Sequence, residues 1–319
     1  MVPDRVRARA QALGRPGTDW LDALPGVLAE LSRNWSLRLG EQLAGGSTSL
    51  VLRARTAEGR SVVLKLSQPD LDLTDQAATL ERAAGRGYVR LLASDLDRNA
   101  LLLDGLGPSL EDLHASPEQT MTILCDTLAE AWRVPRAAGP SARPVPDKAT
   151  ALAEAIEESW PLLGRPCPRR VIDRALEYAE RRSAAFDLER SVVAHGDPHP
   201  GNALRVLTPR PDGSPEFVFV DPDGFLDDRA YDLGVVLRDW RHQLIAADDP
   251  VGLARGYCRL LADRTGVDAE AIWEWGYLER VSTGLYALRH GAPELGRSLL
   301  TSAGPLAEVR WRDRTDPTG

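Results

Sequence analysis

The segment His195-Gly196-Asp197-Pro198-His199-Pro200-Gly201-Asn202 constrains this chain more than any other. Two glycines and two prolines in eight residues exclude both a helix and a regular strand. Short apolar runs flank it, at Val192–Val193 and Ala203–Val206, and read as strands. A third run, Phe217–Val220, delivers a second acidic cluster, Asp221-Pro222-Asp223. The chain therefore presents two carboxylate-bearing loops from neighbouring short strands. An Asx-turn loop would account for one Asp and one Asn. It would not account for two His, two Gly and two Pro between strands with a further Asp behind them.

That spacing suits phosphoryl transfer. The reaction needs one carboxylate to orient and deprotonate a hydroxyl, and an Asn and a second Asp to hold Mg²⁺ against nucleotide phosphates. Catalytic loops of that kind read H-x-D-x-x-x-x-N, with an Asp after a short hairpin. Here Asn202 stands five positions after Asp197, and Asp221 closes the next strand. A zinc site on His195, Asp197 and His199 is disfavoured because no third soft ligand is near in sequence.

Upstream, residues 35–103 read β-loop-β-β-α-β-β: Trp35–Leu43, Leu50–Arg55, Ser61–Leu66, a helix at Leu73–Ala84, then Tyr88–Ala93 and Ala100–Leu103. A helical stretch from Val6 to Ser32, broken around Gly14–Gly17, precedes them. Lys65 lies inside the apolar strand Val62–Leu66, and a buried ammonium there needs an anionic partner. Gly45, Gly46, Ser47, Thr48 and Ser49 form a loop between strands that could cover phosphates with N–H groups and hydroxyls. Asp104-Gly105-Leu106-Gly107-Pro108 reads as a hinge. Beyond it helices dominate: Glu118–Trp132, Ala149–Leu163, Arg169–Ala185, and a helical stretch Ala230–Ala307, with a proline-rich connector at 134–148.

HGDPHPGN, followed by VDPDG and AYDLG, resembles the aminoglycoside phosphotransferase group of the protein-kinase-like superfamily, which also holds choline, fructosamine and hydroxyurea kinases. GGSTS, GRGYVRLL and DPDGFLDDRAYDL look most like its streptomycin 6-phosphotransferase and hydroxyurea kinase branch. The likeness spans residue 35 to about residue 300. It implies an α+β, protein-kinase-like fold of two lobes, with a small antiparallel sheet in the N-terminal lobe and a mainly helical C-terminal lobe. The expected boundaries are 1–103 for the nucleotide-binding lobe, 104–110 for the hinge, 111–312 for the catalytic lobe and 313–319 for a tail.

The resemblance further implies ATP and Mg²⁺. Asp197 would be the base, His195 would brace its loop, and Asn202 and Asp221 would bind the metal. Lys65 and the loop Gly45–Ser49 would face the phosphates, and Asp104 and Leu106 the adenine. The helix Glu that kinases pair with the strand Lys falls at Gln76 here, with Asp75 beside it and Glu81 later, so the partner of Lys65 stays open among the three. Asp223, Asp227 and Asp228 are expected to fix the turn and cap the next helix, and Asp232 to hold the catalytic loop. Trp240, Trp273, Trp275, Tyr277, Tyr286, Asp239, Glu274 and Glu279 are candidate walls of an acceptor pocket, though core packing of the aromatics and solvated charge explain any single one of them better.

Composition narrows the partners. Lys and Arg total 39 against 47 Asp and Glu, a net charge of −8, which disfavours nucleic acid. No apolar run approaches a membrane span and no signal-peptide pattern opens the chain, so a cytoplasmic protein is expected. Cys125, Cys167 and Cys258 form no CxxC pair and read as reduced thiols. The expected partner is a small-molecule acceptor, a cationic sugar of the streptomycin type, met by a monomer or homodimer. Hydroxyurea, a fructosamine or a choline-like metabolite is the alternative acceptor, and a nucleotide-binding pseudokinase the alternative class.

Overall fold

A computed structural model describes residues 2–43, 46, 48–136, 147–208 and 215–311. The chain opens with helices α1 (Asp4–Ala12) and α2 (Arg15–Asn34). The break expected over Gly14–Gly17 is confined to Leu13–Gly14. Pro16 sits in the first turn of α2, where a missing N–H leaves no helical bond unmade.

Strands β1 (Leu37–Gln42), β2 (Ser49–Thr56) and β3 (Ser61–Ser67), helix α3 (Thr74–Ala83), and strands β4 (Leu91–Asp95) and β5 (Ala100–Asp104) follow. They build an antiparallel sheet in the order β1-β2-β3-β5-β4. Alternation along β3 sorts its side chains. Leu64 and Leu66 pack with Leu24 and Leu31 of α2, each such burial contributing about 1.5–3 kcal/mol. Val63 points to the opposite face and joins Leu101 and Leu103 in the core shared with the rest of the molecule. Lys65 has the same parity as Val63, so its ammonium faces the second lobe.

The remainder comprises β6 (Leu106–Ser109), α4 (Pro117–Ala131), α5 (Lys148–Leu162), α6 (Arg169–Ala184), β7 (Val192–Val193), β8 (Ala203–Val206), β9 (Phe217–Phe219), β10 (Leu226–Asp227), α7 (Arg229–Arg238), α8 (Arg241–Ala246), α9 (Pro250–Thr265), α10 (Ala269–Arg289) and α11 (Pro293–Ala307). A capping box between Ser116 and Gln119 starts α4. Asp228 caps α7 through the Ala230 N–H, as expected. Helix α10 is the axis of this lobe, with Trp273, Trp275, Tyr277, Leu278 and Val281 all buried. The two-lobed arrangement matches the fold class read from sequence.

One local expectation changes. Pairing of β4 starts at Leu91, not Tyr88. Tyr88 instead bridges Phe219 in parallel, and the Val89 N–H donates to the Phe219 carbonyl at 2.8 Å. The segment after α3 is thus fastened to the second lobe. Within the expected hinge 104–110, Asp104 ends β5, and β6 belongs to the sheet β6-β8-β9. Gly105 alone lies between the two sheets. Its N–H donates to the Ser61 carbonyl at 3.0 Å, and a Cβ there would lie 2.5 Å from Ser61 Oγ.

No helix among the described residues is long and apolar enough to cross a membrane. Cys125, Cys167 and Cys258 are free thiols, and burial pushes Cys125 up to about 12. The expected tail 313–319 and most of the connector lie outside the described residues.

The closeness of Ser61 makes Gly105 sensitive to size. Gly105→Val is expected to lower unfolding free energy by about 1–3 kcal/mol through overpacking, read as an earlier urea midpoint. A midpoint unchanged from wild type would show that the joint has room to spare.

Candidate active site

The loop 195–202 is organised by Asp232, a fully buried carboxylate on α7. Asp232 Oδ2 accepts from the His195 N–H at 3.0 Å and Trp132 Nε1 at 2.8 Å, and Oδ1 accepts from the Gly196 N–H at 3.0 Å. Burial raises its carboxyl to about 6 despite these three donors. Gly196 has φ 95°, a left-handed conformation that a side chain would strain, and a Cβ there would meet Asp223 Oδ2 at 2.3 Å. The glycine of the motif is therefore required by both backbone and space.

His195 is wholly buried, stacked on Tyr88 and edge-on to Phe219. Burial lowers its pKa from 6.5 to about 4, so the ring is neutral near pH 7. Its Nδ1 accepts from the Asp197 N–H at 3.1 Å, which assigns the proton to Nε2, 3.0 Å from the Val220 carbonyl. One imidazole thus ties the Asp197 loop to the strand that carries Asp221.

The expected site residues converge from there. The Asn202 side chain donates to the Asp197 carbonyl at 3.0 Å, and the Val220 N–H donates to the Asn202 carbonyl at 2.9 Å. Asp221 holds φ 56°, an uncommon conformation for a residue other than glycine. Its Oδ1 receives Lys65 Nζ at 2.9 Å, and Gln76 Oε1 receives the same ammonium at 3.0 Å. Gln76 is thus the partner of Lys65 on α3, while Asp75 and Glu81 are exposed.

Asp197 has a neighbour that the sequence reading missed. Arg238, at the end of α7, donates to Asp197 Oδ1 at 2.8 Å and lies 3.3 Å from both Glu279 and Asp239. His199 Nε2 is 3.6 Å from Asp197 Oδ2. Burial pushes the Asp197 carboxyl up, but the guanidinium beside it prevails and holds it below its usual value. The available clue was position: Arg238 lies six residues after Asp232, on the helix that Asp232 anchors.

Gly45 and Ser47 lie outside the described residues, and Gly46 and Thr48 precede β2. Ser49 Oγ is buried against Ser67 Oγ at 2.8 Å, so that hydroxyl is already engaged. Asp104 pairs with Arg60 through two bonds, of 2.8 and 3.1 Å, and Leu106 opens β6 opposite Val206. A cavity of about 620 Å³ is lined by residues around Gly105. Its walls include Asp104 and Leu106 but none of Lys65, Asp197, Asn202 and Asp221.

A sequence profile of the aminoglycoside/hydroxyurea antibiotic resistance kinases matches residues 34–291. The chain belongs to that family. It is therefore a small-molecule kinase with an alcohol group as acceptor. Streptomycin 6-kinase of Streptomyces glaucescens is 29% identical over 312 residues, covering 96% of each chain. Hydroxyurea phosphotransferase of Kitasatospora aureofaciens is 31% identical over 260 residues, 77% of this chain and 72% of that one. A solved aminoglycoside phosphotransferase of Streptomyces rimosus, in complex with ADP and streptomycin, shares the fold with a TM-score of 0.52 at 18% identity, covering 81% of this chain and 97% of that one.

Within this kinase, Asn202 and Asp221 offer an amide and a carboxylate oxygen. These are hard ligands of the kind Mg²⁺ takes together with phosphate oxygens and water. Among the described residues no group of three His, Cys, Asp or Glu side chains is placed to hold a metal. The pair fits an ion that comes with the nucleotide's phosphates better than a caged ion.

The aromatic acceptor walls fare differently. Trp273, Trp275 and Tyr277 are core residues, with Trp273 donating to Tyr178 Oη and Tyr277 to the Val171 carbonyl. Glu274 is buried between Arg181 and Arg182, Trp240 packs near Tyr257, and Tyr286 is exposed against His290. Only Asp239 and Glu279 come near Asp197, and they do so through Arg238.

The neutral His195 has a pH consequence. Its folded pKa of about 4 lies below 6.5, so its stabilising contribution is whole above pH 6.5 and is lost as pH falls toward 4. The full loss is about 3 kcal/mol. His195→Gln is expected to flatten that part of the stability curve in urea unfolding. The difference from wild type isolates His195 from the buried carboxylates Asp232 and Glu274, whose raised values act with the opposite sign. A difference that does not vary with pH would contradict the assignment.

Proposed function

We propose that this kinase transfers the γ-phosphoryl group of ATP to a hydroxyl of a streptomycin-type aminoglycoside, with Asp197 as base. The observation that carries the proposal is the convergence of Lys65, Asp197, Asn202 and Asp221 through the bonds above. Similarity to streptomycin 6-kinase along nearly the whole chain supports the acceptor class.

The acceptor hydroxyl lies against Asp197 Oδ2, the oxygen that Arg238 does not hold and that His199 Nε2 approaches at 3.6 Å. Its oxygen attacks the γ-phosphorus in line, ADP leaves, and the hydroxyl proton passes to Asp197. Arg238 keeps that carboxylate ionised and fixes one of its oxygens, leaving the other for the acceptor. A carboxylate so held is a weak base, which suits a loose transition state in which the proton moves late. Lys65, Gly46 and Thr48 meet the nucleotide phosphates, and Asp104 and Leu106 flank the adenine. When bound, Mg²⁺ on Asn202 and Asp221 neutralises charge on those phosphates.

Hydroxyurea is the second acceptor reading, favoured by 31% identity to its phosphotransferase. Coupled ADP release with Mg-ATP separates the readings. Streptomycin-stimulated turnover is expected, with a product about 80 Da heavier, as one phosphate requires. Asp197→Ala is expected to slow it by about 10²–10⁴-fold. Turnover with hydroxyurea alone would replace the acceptor. Absence of turnover with both acceptors, despite bound ATP, would overturn the proposal and send the search to other alcohols.

Arg238 supplies a second test. Removing the guanidinium by Arg238→Met lets the Asp197 carboxyl rise. The acid limb of the kcat/KM profile is expected to move to higher pH, and an unmoved limb would show that Arg238 does not tune the base.

A further inference from the structure

Lys65 is buried, with 9% of its side chain exposed, and its ammonium needs a counter-charge. In protein kinases a helix Glu supplies it. Here the helix residue is Gln76, itself buried and neutral. Among the described residues Asp221 is the one carboxylate within ion-pair distance of Lys65, at 2.9 Å. Asp221 is fixed by its left-handed backbone, and its side chain is 46% exposed, so a solvated ion can reach it. The same carboxylate is thus asked to neutralise Lys65 and, on the functional reading above, to bind the metal.

We infer that Gln76 makes divalent-metal binding depend on the nucleotide: without nucleotide, Lys65 holds Asp221 Oδ1 and neutralises the carboxylate, so an ion meets a single oxygen beside an ammonium, and phosphates that draw the ammonium away restore the full charge to the metal ligand. This rests on the proposed roles of Lys65 and Asp221. A Glu at position 76 would neutralise Lys65 from the helix and leave Asp221 free at all times. Gln76 is therefore a positioning residue, acting through Lys65 on the metal carboxylate. Apparent metal affinity falls in proportion to the fraction of Asp221 that is free, so a pair closed nine-tenths of the time weakens it about tenfold.

The test titrates Mn²⁺ alone into the full-length protein, followed by electron paramagnetic resonance, without nucleotide and then with AMP-PNP. Gln76→Glu is expected to bind Mn²⁺ about tenfold tighter than wild type without nucleotide, and to match it once AMP-PNP is present. Lys65→Met, which removes the ammonium and adds no ligand, is expected to tighten nucleotide-free binding likewise. Gln76→Leu, which removes a hydrogen bond and adds no charge, is expected to bind as wild type does. Nucleotide-free affinities equal in wild type, Gln76→Glu and Lys65→Met would overturn the coupling. Asp221→Asn separates that failure from a deeper one. If it leaves Mn²⁺ binding in the presence of AMP-PNP intact, Asp221 is no metal ligand and the functional reading of that residue falls as well.

Discussion

A buried carboxylate must be satisfied by donors or it unfolds what surrounds it, and Asp232 is satisfied by the backbone of the loop that carries Asp197. Its three donors are Trp132, just after α4, and the consecutive N–H groups of His195 and Gly196 in the loop. Pinning those two loop N–H groups sets the left-handed turn at Gly196 and places the His195 ring. The ring then transmits the constraint, to Asp197 through Nδ1 and to Val220 through Nε2. The position of both acidic loops thus follows from one side chain on α7.

The charges at the cleft form two self-contained sets. Lys65 from the first lobe is paired with Asp221, and Arg238 from the second with Asp197, Glu279 and Asp239. Each cation rests on a carboxylate that the proposed chemistry uses. Ligand binding is then an exchange of partners inside a preformed site, which limits the desolvation that the cleft must undergo. The contacts of Tyr88–Val89 with β9 and of Gly105 with Ser61 keep the two sets in register.

Much of this was legible in the sequence because it is local. The apolar alternation of Val62–Leu66 predicts β3, and the loop 195–202 carries its chemistry in consecutive residues. Asp228 as a cap and Asp232 as a loop anchor follow from their places beside a helix start. Other features depend on distant partners. Arg238 reads as a solvated residue at a helix end until Glu279, from α10, is brought beside it. Strand β6 exists because β8 pairs with it, so Leu106–Ser109 alone reads as hinge. Taken singly, the aromatic residues of α10 read as core, and the burial of Ile272–Val281 on every side is what a surrounded helix requires. The family resemblance, followed back from Gly85-Arg86-Gly87-Tyr88-Val89, puts the kinase Glu position at Gln76, but only the fold chooses it over Asp75 and Glu81.

The measurement that bears most directly on this account is the single-turnover rate of phosphoryl transfer to streptomycin in Asp232→Asn, compared with wild type at saturating Mg-ATP. The substitution keeps the size of the side chain and removes its charge and one acceptor, 3.0 Å from the loop N–H groups. If Asp232 sets the geometry of Asp197, the rate falls by about 10²-fold, while near-ultraviolet circular dichroism and AMP-PNP affinity stay close to wild type. A folded variant that transfers phosphate at the wild-type rate would contradict the account.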